Sequence, residues 1–234
     1  YIHKGIAVRK PEPDPPFSGE GDTTFPAKHE VKLSMLQKAF PKYEEREDQL
    51  DMMDAVYNGL NKEEVVIIEA GTGLGKTIGY LLPAAYHAHV RKEKVVISTY
   101  TIDLQNQILH KELDALRNML PFSVRTCVLK GRSNYISMAK FDRVLRTRND
   151  NYEAAITKMQ ILNWLLQTET GDKDELNLSS GGELFWEKLQ DGEHLQSEHL
   201  ESWRNLDFYE RAKNRALHSD LIITNHSYLM TDHF

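Results

Sequence analysis

The sequence predicts an α/β fold built on a parallel sheet, and three observations support this class. Short apolar segments rich in β-branched residues occur at positions 65–68, 94–98, 123–129 and 220–224. Segments with helical periodicity separate them, which is the order typical of parallel α/β sheets. The apolar segments also lack strict alternation, as expected for strands that are covered on both faces.

The composition narrows the class of protein further. A chain of 234 residues can bury a core and form one or two domains. The net charge of −6 gives no overall signature of nucleic-acid binding, so charge has to be considered locally. The single cysteine, Cys127, excludes an intrachain disulfide framework and a cysteine-only metal cluster, and it agrees with a reducing, cytoplasmic setting. Its apolar neighbours indicate a buried strand thiol rather than a reactive one.

No apolar run reaches the length needed to span a membrane, so we expect no membrane partner. Residues 1–27 are predicted to form an N-terminal arm or linker. Within them the stretch 11–26, PEPDPPFSGEGDTTFP, is dense in proline, glycine and acidic residues and has no hydrophobic period. Because the chain starts at Tyr1 rather than at methionine, we expect it to be a piece of a longer protein.

The segment from Lys28 to Leu60 is predicted to be helical. Its apolar residues recur at three- and four-residue spacing, and they are Leu33, Leu36, Phe40, Leu50, Met53, Tyr57 and Leu60. These helices lead to residues 65–68, VVII, which we expect to form a buried strand.

A glycine-rich loop follows this predicted strand. The combined stretch reads VVIIEAGTGLGKT, and an apolar segment suited to a helix comes after it, with Pro83 predicted to kink that helix. Strand, loop and helix in this order are typical of a phosphate-binding P-loop. The strict pattern has glycine at the first loop position, where this chain has Ala70, so the match uses the looser form of the motif. An ordinary glycine-rich turn is the alternative.

Each residue type in the loop suits a triphosphate for a separate physical reason. Glycines let several backbone N–H groups come close to the phosphates. The ammonium of Lys76 can contact the β- and γ-phosphates, Thr77 can hold Mg²⁺ through its hydroxyl, and the helix N-terminus adds a favourable dipole. The predicted nucleotide site therefore consists of Ala70, Gly71, Thr72, Gly73, Leu74, Gly75, Lys76 and Thr77. Within it we assign catalytic roles to Lys76 and Thr77.

Further strand and helix signals follow the loop. Residues 94–98 are predicted to form a strand, and the next helix carries Ile108, Leu109, Leu113, Leu116 and Leu120 on its core face. Strands are also predicted near 123–129 and 220–224. Between them, residues 138–218 lack strand signals and are predicted to form a mainly helical insertion, with a polar break at 171–182.

Charge is unevenly distributed around this insertion. Its beginning is basic, and the basic residues are Lys130, Arg132, Lys140, Arg143, Arg146 and Arg148. They could follow the phosphates of a nucleic acid, with Lys130 and Arg132 the first candidates, or form a solvated helix face, and charge alone leaves both readings open. The tryptophans at 164, 186 and 203 lie in apolar helical contexts, which favours packing over base stacking.

Several segments resemble, in order, motifs of the DinG- and XPD-like helicases of superfamily two. The stretch 41–52, PKYEEREDQLDM, resembles the adenine-recognition motif of that family, in which Gln49 would contact the adenine edge and Arg46 would assist. A glutamine amide offers a donor and an acceptor together. Tyr43 would either stack nearby or belong to the core.

Two later stretches extend the resemblance. Residues 98–108, STYTIDLQNQI, resemble motif Ia, where Thr99, Thr101 and Gln105 would contact the backbone of single-stranded DNA; Thr101 is also a candidate helix cap. Residues 129–137, LKGRSNYIS, resemble the phrase that runs into the first cluster cysteine of iron–sulfur members. Ser137 stands at that position and no cysteine follows, so we predict no iron–sulfur cluster, as in relatives from Gram-positive bacteria.

The last stretch, SDLIITNHSYLM, resembles the family strand and Asn-His turn that precede the Walker B acids. The resemblance implies a fragment of the first RecA-like domain, with core residues 28–137 and a returning strand at 219–234. His226 would connect nucleotide state to DNA, or have a structural role. Since the sequence given contains no Walker B pair, we expect this fragment alone to be inactive.

The leading hypothesis is an ATP- and Mg²⁺-dependent DNA helicase that acts on single-stranded DNA in the full-length protein. The resemblance implies a second RecA-like domain in the same polypeptide and an N-terminal 3'-5' exonuclease domain as a possible partner. The alternative is a regulatory ATP-binding module that gates such an exonuclease without unwinding. A small-molecule kinase is a third option, which leaves the Gln49 and motif Ia segments unexplained.

Overall fold

The computed structural model describes residues 2–3, 6–7, 9, 24–101, 105–106, 108–147, 151–190 and 203–231. The strands are β1 (Ile2–His3), β2 (Ile6–Ala7), β3 (Val95–Thr99), β4 (Thr126–Val128) and β5 (Leu221–Asn225). The α-helices are α1 (His29–Ala39), α2 (Glu47–Lys62), α3 (Lys76–Arg91), α4 (Leu113–Met119), α5 (Met138–Leu145), α6 (Tyr152–Trp164), α7 (Ser180–Trp186), α8 (Phe208–Leu217) and α9 (His226–Thr231). A π-helical turn covers Ile108–Glu112.

The chain separates into two compact units. The P-loop unit comprises Pro16–Leu129 and Ala216–Phe234, and the helical unit comprises Tyr1–Pro15 and Lys130–Arg215. The finer division predicted from the sequence, with an arm at 1–27 and an insertion at 138–218, stays a prediction. Most of the proline-rich arm lies outside the described residues.

The P-loop unit contains a three-stranded parallel sheet in the order β3-β5-β4. All five residues of the central strand β5 are buried, which explains its uninterrupted apolar character. Cys127 lies in β4 and is buried, so the prediction of a buried strand thiol is confirmed. Together with the surrounding helices, this sheet confirms the predicted α/β class with parallel strands.

One predicted strand is absent from the described residues. Positions 65–68 have no strand assignment, and the exposed fractions of Val65 and Ile67 are 96% and 93%. The prediction of a buried strand there is therefore wrong. β-Branched residues favour an extended backbone, but a strand forms only where a neighbour completes its ladder of hydrogen bonds. The sheet of the P-loop unit pairs β3, β5 and β4 and does not include this segment.

Helices α2 and α3 pack against each other and hold the loop between them. A Cβ at Gly79 would come 3.0 Å from the Met52 sulfur, so glycine permits the close approach of α3 to α2. Pro83 lies inside α3, which continues unbroken to Arg91. Phe25 extends this core because its ring stacks on Tyr57, with 4.4 Å between the ring centroids.

The helical unit is held together by buried aromatic side chains. The rings of Trp164 and Trp186 meet edge to face with centroids 6.2 Å apart. The indole N–H of Trp164 donates to Glu175 at 3.0 Å, and that of Trp186 donates to the Ser133 carbonyl at 3.2 Å. Trp203 is also buried. The prediction that the tryptophans pack in the interior is confirmed.

In the described ranges, none of the helices combines the length and the apolar character needed to cross a bilayer.

Candidate functional site

The glycine-rich loop takes a backbone shape that only glycine adopts easily. Gly73 and Gly75 both have φ of +81°, in the left-handed region. A Cβ at Gly71 or Gly73 would meet no atom within 4 Å, whereas a Cβ at Gly75 would overlap the amide nitrogen of Gln49. The loop therefore requires glycine at position 73 because of its positive φ. At position 75 it requires glycine because of the positive φ and because a side chain would overlap Gln49.

The charged and hydroxyl residues of the motif lie where the loop enters α3. Lys76 begins the helix, is exposed, and its ammonium donates to the Ala70 carbonyl at 3.1 Å. Thr77 is half-buried, and its side chain hydrogen-bonds with the hydroxyl of Tyr80. Burial raises the pKa of Tyr80, although the bond with Thr77 opposes this rise. Loop amides, an ammonium and a hydroxyl thus meet at one helix N-terminus, an arrangement that suits phosphate.

The residues predicted to read adenine are hydrogen-bonded directly to the loop. Gln49, in the first turn of α2, is 2% exposed, and its Nε2 donates to the Gly75 carbonyl at 2.7 Å. Arg46 caps α2, and its guanidinium donates to the Gly73 carbonyl. The Tyr43 hydroxyl donates to Oε1 of Gln49. The structure therefore brings the motif at 41–52 and the P-loop together.

Cavities open on both sides of this junction. One of about 860 Å³ is lined by Arg46, Asp51 and the loop residues Ala70–Leu74 among others. A second of about 670 Å³ is lined by Phe40, Tyr43, Gln49, Gly75, Ile78 and Glu112 among others. Both volumes fall in the range of small-molecule sites. A ligand that bridges them would contact the loop with one part and the amide of Gln49 with another.

Glu112 is a site residue that the sequence did not reveal. It ends the π-helical turn and lines the 670 Å³ cavity opposite the helical segment that carries Gln49. Burial raises the pKa of Glu112, and the charge of Lys111 opposes this rise. The periodicity of residues 108–120 predicted an ordinary helix, and a π-turn has no comparable sequence signal.

Two of the residues assigned to motif Ia face the interior instead of solvent. Thr99, at the end of β3, is buried and donates to the Thr101 carbonyl at 2.9 Å. Gln105 is fully buried, and its Nε2 donates to the carbonyls of Leu129 and Ile223 at 3.1 and 3.0 Å. Gln105 thereby connects the ends of β4 and β5, and its contact with DNA stays a prediction.

A second polar cluster lies at the carboxyl ends of β3 and β5. Nδ1 of His226 lies 2.6 Å from the hydroxyl oxygen of Ser98. The rings of Tyr100 and His226 lie edge to face, with 6.2 Å between their centroids. The side chain of Asn225 accepts from the Tyr228 N–H at 2.8 Å and thereby caps α9. His226 thus connects the ends of the two strands, and its imidazole and Tyr100 are both exposed. This is a structural role, and a role of His226 toward a ligand stays a prediction.

The basic residues at the start of the helical unit are mostly occupied by protein partners. Lys130 is 1% exposed, and its ammonium lies 2.6 Å from Asp172 and 2.7 Å from Asp174. Burial raises the pKa of Asp172, and the charge of Lys130 opposes this rise. Arg132 pairs with Glu210 at 3.0 Å. A buried ammonium is stable only with its counter-ions, which Asp172 and Asp174 provide here. A contact of Lys130 with a nucleic acid stays a prediction.

The other basic residues show the same tendency. Lys140 donates to the Gln190 carbonyl at 2.9 Å, and Arg146 pairs with Asp142 at 2.9 Å. Arg143 is exposed, and Arg148 lies outside the described residues. Ser137, at the position of the family's first cluster cysteine, caps α5 by accepting from the Lys140 N–H at 3.4 Å. Within the described part of the chain, no group of three or more His, Cys, Asp or Glu residues is placed to hold a metal ion.

Comparison with known proteins adds independent findings. The DEAD/DEAH box helicase family matches residues 46–175, which include the P-loop, the stretch 98–108 and residues 46–52 of the stretch 41–52. A curated relative from Bacillus subtilis (strain 168), named 3'-5' exonuclease DinG, is 45% identical over 97% of this chain. A protein of the same name from Staphylococcus haemolyticus (strain JCSC1435) is 33% identical over 79% of this chain. One from Staphylococcus aureus (strain USA300) is 32% identical over the same share.

The length of these relatives limits what the match covers. The chain spans 25% of the Bacillus subtilis protein and 20% of each staphylococcal protein. The similarity therefore concerns one part of proteins that are several times longer.

Proposed function

Because this chain belongs to the DEAD/DEAH box helicase family and, within it, to the DinG type, we propose that it binds ATP with Mg²⁺ as the first part of a DNA-dependent ATPase. The fold is that of a partial RecA-like helicase domain, which agrees with the resemblance described above. ATP hydrolysis, translocation and unwinding would belong to the full-length protein. The cytoplasm is the proposed location.

One observation carries the assignment of ATP. Gln49 and Arg46, from the segment that resembles an adenine-recognition motif, both donate to carbonyls of the P-loop. A base-reading amide and a phosphate-binding loop are thus part of one hydrogen-bonded unit. An ordinary glycine-rich turn would not require a buried glutamine, only 2% exposed, beside it. The two cavities of about 860 and 670 Å³, which share Arg46 in their linings, offer room for the two ends of a nucleotide.

The residues also suit Mg²⁺ bound together with the nucleotide. Hydroxyl oxygens are suitable ligands for this hard cation, which keeps several waters and binds largely through phosphate oxygens. Thr77 stands in the first turn of α3, directly after Lys76. Mg²⁺ would supply charge neutralisation of the phosphates. Lys76 would add a positive charge, and the loop amides would hold the phosphates in place.

Single-stranded DNA is the proposed polymer partner. The carboxyl ends of β3 and β5 present Tyr100, which is 82% exposed, together with the exposed His226. An exposed aromatic ring is a surface on which a base can stack. Thr99, Thr101, Gln105, Lys130 and Arg132 remain the proposed DNA-side residues. The burial of Thr99, Gln105 and Lys130 favours an indirect contribution from those three.

The experiment that tests the proposal is ATP hydrolysis by the full-length protein, with and without single-stranded DNA, beside its Lys76→Ala variant. We expect turnover that DNA stimulates and that the variant loses, because the lysine is one of the charges that contacts the phosphates. Turnover that the variant retains would refute the assignment of the P-loop. Turnover that DNA leaves unchanged would refute the DNA-dependent part.

A second candidate is a regulatory module that gates a nuclease without moving along DNA. The name of the relatives, 3'-5' exonuclease DinG, is the observation that favours it. Strand displacement by the full-length protein separates the two candidates: unwinding supports a motor, while ATP-dependent change in cleavage without unwinding supports a gate. An exonuclease domain and a second RecA-like domain are proposed partners in the same polypeptide, and no iron–sulfur cluster is proposed.

A further inference from the structure

The protein engages only half of the hydrogen-bonding capacity of the Gln49 side chain. An amide has two N–H donors and an oxygen with two lone pairs. Among the described residues, one N–H of Gln49 donates to the Gly75 carbonyl at 2.7 Å, and Oε1 accepts from the Tyr43 hydroxyl. One donor and one lone pair therefore remain for a ligand in the cavity that Gln49 and Tyr43 line together.

The orientation of this amide follows from its two partners. The Gly75 carbonyl can only accept, and it also accepts the N–H of Gly79 at 3.1 Å. The nitrogen of Gln49 must therefore face Gly75, so its oxygen faces Tyr43 and the tyrosine hydroxyl donates. Burial raises the pKa of Tyr43, although the charge of Arg46 opposes this rise. The hydroxyl accordingly keeps the proton that it donates at neutral pH.

The two purine classes present different edges to such an amide. Adenine offers an amino donor at position 6 beside the N7 acceptor, whereas 6-oxopurines offer two acceptors. An amide with one free donor and one free lone pair matches the first pattern. Toward a 6-oxopurine, the same amide directs an oxygen lone pair of Gln49 at the carbonyl oxygen at position 6, and the two oxygens repel each other.

We propose that Tyr43 is a positioning residue that holds the Gln49 amide in the orientation selective for 6-aminopurines over 6-oxopurines. This inference rests on the proposed function, since it concerns the base of the nucleotide at the same site. Without the tyrosine hydroxyl, the oxygen of Gln49 loses its partner, and only the bond to the Gly75 carbonyl still restrains the amide. An amide that is restrained by one bond instead of two can rotate more easily and present its NH₂ group to the carbonyl oxygen of a 6-oxopurine, so discrimination falls.

The test compares the affinities of the full-length protein for ATP and inosine triphosphate, which differ in the group at position 6. Tyr43→Phe removes one oxygen and keeps the ring. We expect its ATP affinity to fall roughly tenfold, about the value of one hydrogen bond in a buried site, with a change below about twofold for inosine triphosphate. The matched control is Tyr57→Phe, whose ring stacks on Phe25, and which should change neither affinity.

A purely structural role predicts a different result. Equal losses for ATP and inosine triphosphate, or an unchanged preference between them, would overturn the inference. A second measurement uses purine riboside triphosphate, which lacks the 6-amino group. The loss of affinity on replacing ATP by this nucleotide should be smaller in Tyr43→Phe than in the unmodified protein. If the losses of affinity from Tyr43→Phe and from removal of the 6-amino group are additive, the inference is also overturned.

The same titrations separate this inference from the proposed function. If the unmodified protein binds ATP and Lys76→Ala weakens that binding, the proposed nucleotide site is supported, whatever the result for Tyr43→Phe. If Lys76→Ala leaves the ATP affinity unchanged, the proposed function and the inference fail together.

Discussion

Replacing the three loop glycines by alanine, one at a time, should produce graded losses of stability. Gly71→Ala adds a methyl group in open space at a position without positive φ. Gly73→Ala adds it in open space at a φ of +81°. Gly75→Ala adds it at the same φ and against the Gln49 amide. The series therefore separates the cost of conformation from the cost of overlap.

The structure sets the expected magnitudes. At Gly71 the change should be neutral or stabilising by less than about 1 kcal/mol, through the unfolded state. At Gly73 a left-handed alanine should cost about 1–2 kcal/mol. At Gly75 the displaced amide adds the cost of an unsatisfied buried group, about 1–3 kcal/mol, so the total is roughly 2–5 kcal/mol. Since 1 kcal/mol shifts Tm by roughly 2–4 °C in a protein of this size, the losses are measurable.

The assay is thermal unfolding of the three variants beside the unmodified protein, in the absence of nucleotide. We expect Tm to decrease in the order Gly71→Ala, Gly73→Ala, Gly75→Ala. Two results would refute the reasoning. Equal Tm values for the variants at 73 and 75 would show that Gln49 does not press on the loop, and a largest loss at 71 would show that the loop has a different shape.

Two further predictions concern ion pairs. Lys130→Ala should lower the free energy of unfolding by roughly 3–5 kcal/mol, because it leaves Asp172 and Asp174 without their buried counter-ion; chemical denaturation measures this, and a loss below about 1 kcal/mol would contradict it. Burial favours a higher pKa for Asp220, but hydrogen bonds from the side chain and backbone of Arg125 outweigh it and hold the pKa below the ordinary value. A depressed pKa means that this stabilisation is present above the unfolded-state pKa, near 3.9, and is lost as the pH falls through the folded-state value. Asp220→Asn should therefore lower Tm at pH 7 and have a smaller effect near pH 3, and an equal effect at both values would contradict the ionic cause.

The sequence pointed to the residues of the candidate site, whose roles stay predictions, but not to the hydrogen bonds between them. The order of strand, loop and helix signals and the phrase GKT located the P-loop, because glycine and lysine at that spacing have few other uses. The resemblance located Gln49 and Arg46. The bonds from these side chains to Gly73 and Gly75 depend on how α2 packs on α3, which periodicity does not describe.

The errors have physical causes too. Residues 65–68 have strong strand propensity, but propensity does not supply the neighbour that a strand needs. The interior position of Gln105 also could not be foreseen, because the residue is polar and follows a strand, yet two backbone carbonyls satisfy its amide. Sequence reasoning identifies what a polar residue can bind and leaves open whether its partner is the protein or a ligand.

The central claim is that the P-loop and the Gln49 segment form one ATP site. Titration of the protein with ATP in the presence of Mg²⁺, for the unmodified form and for Lys76→Ala and Gln49→Ala, tests it most directly. The account predicts that both variants weaken ATP binding, Lys76→Ala by roughly 10- to 150-fold as expected for a charge-assisted bond, and that Gln49→Ala also reduces the preference for ATP over inosine triphosphate. Unchanged ATP affinity in both variants would contradict the claim.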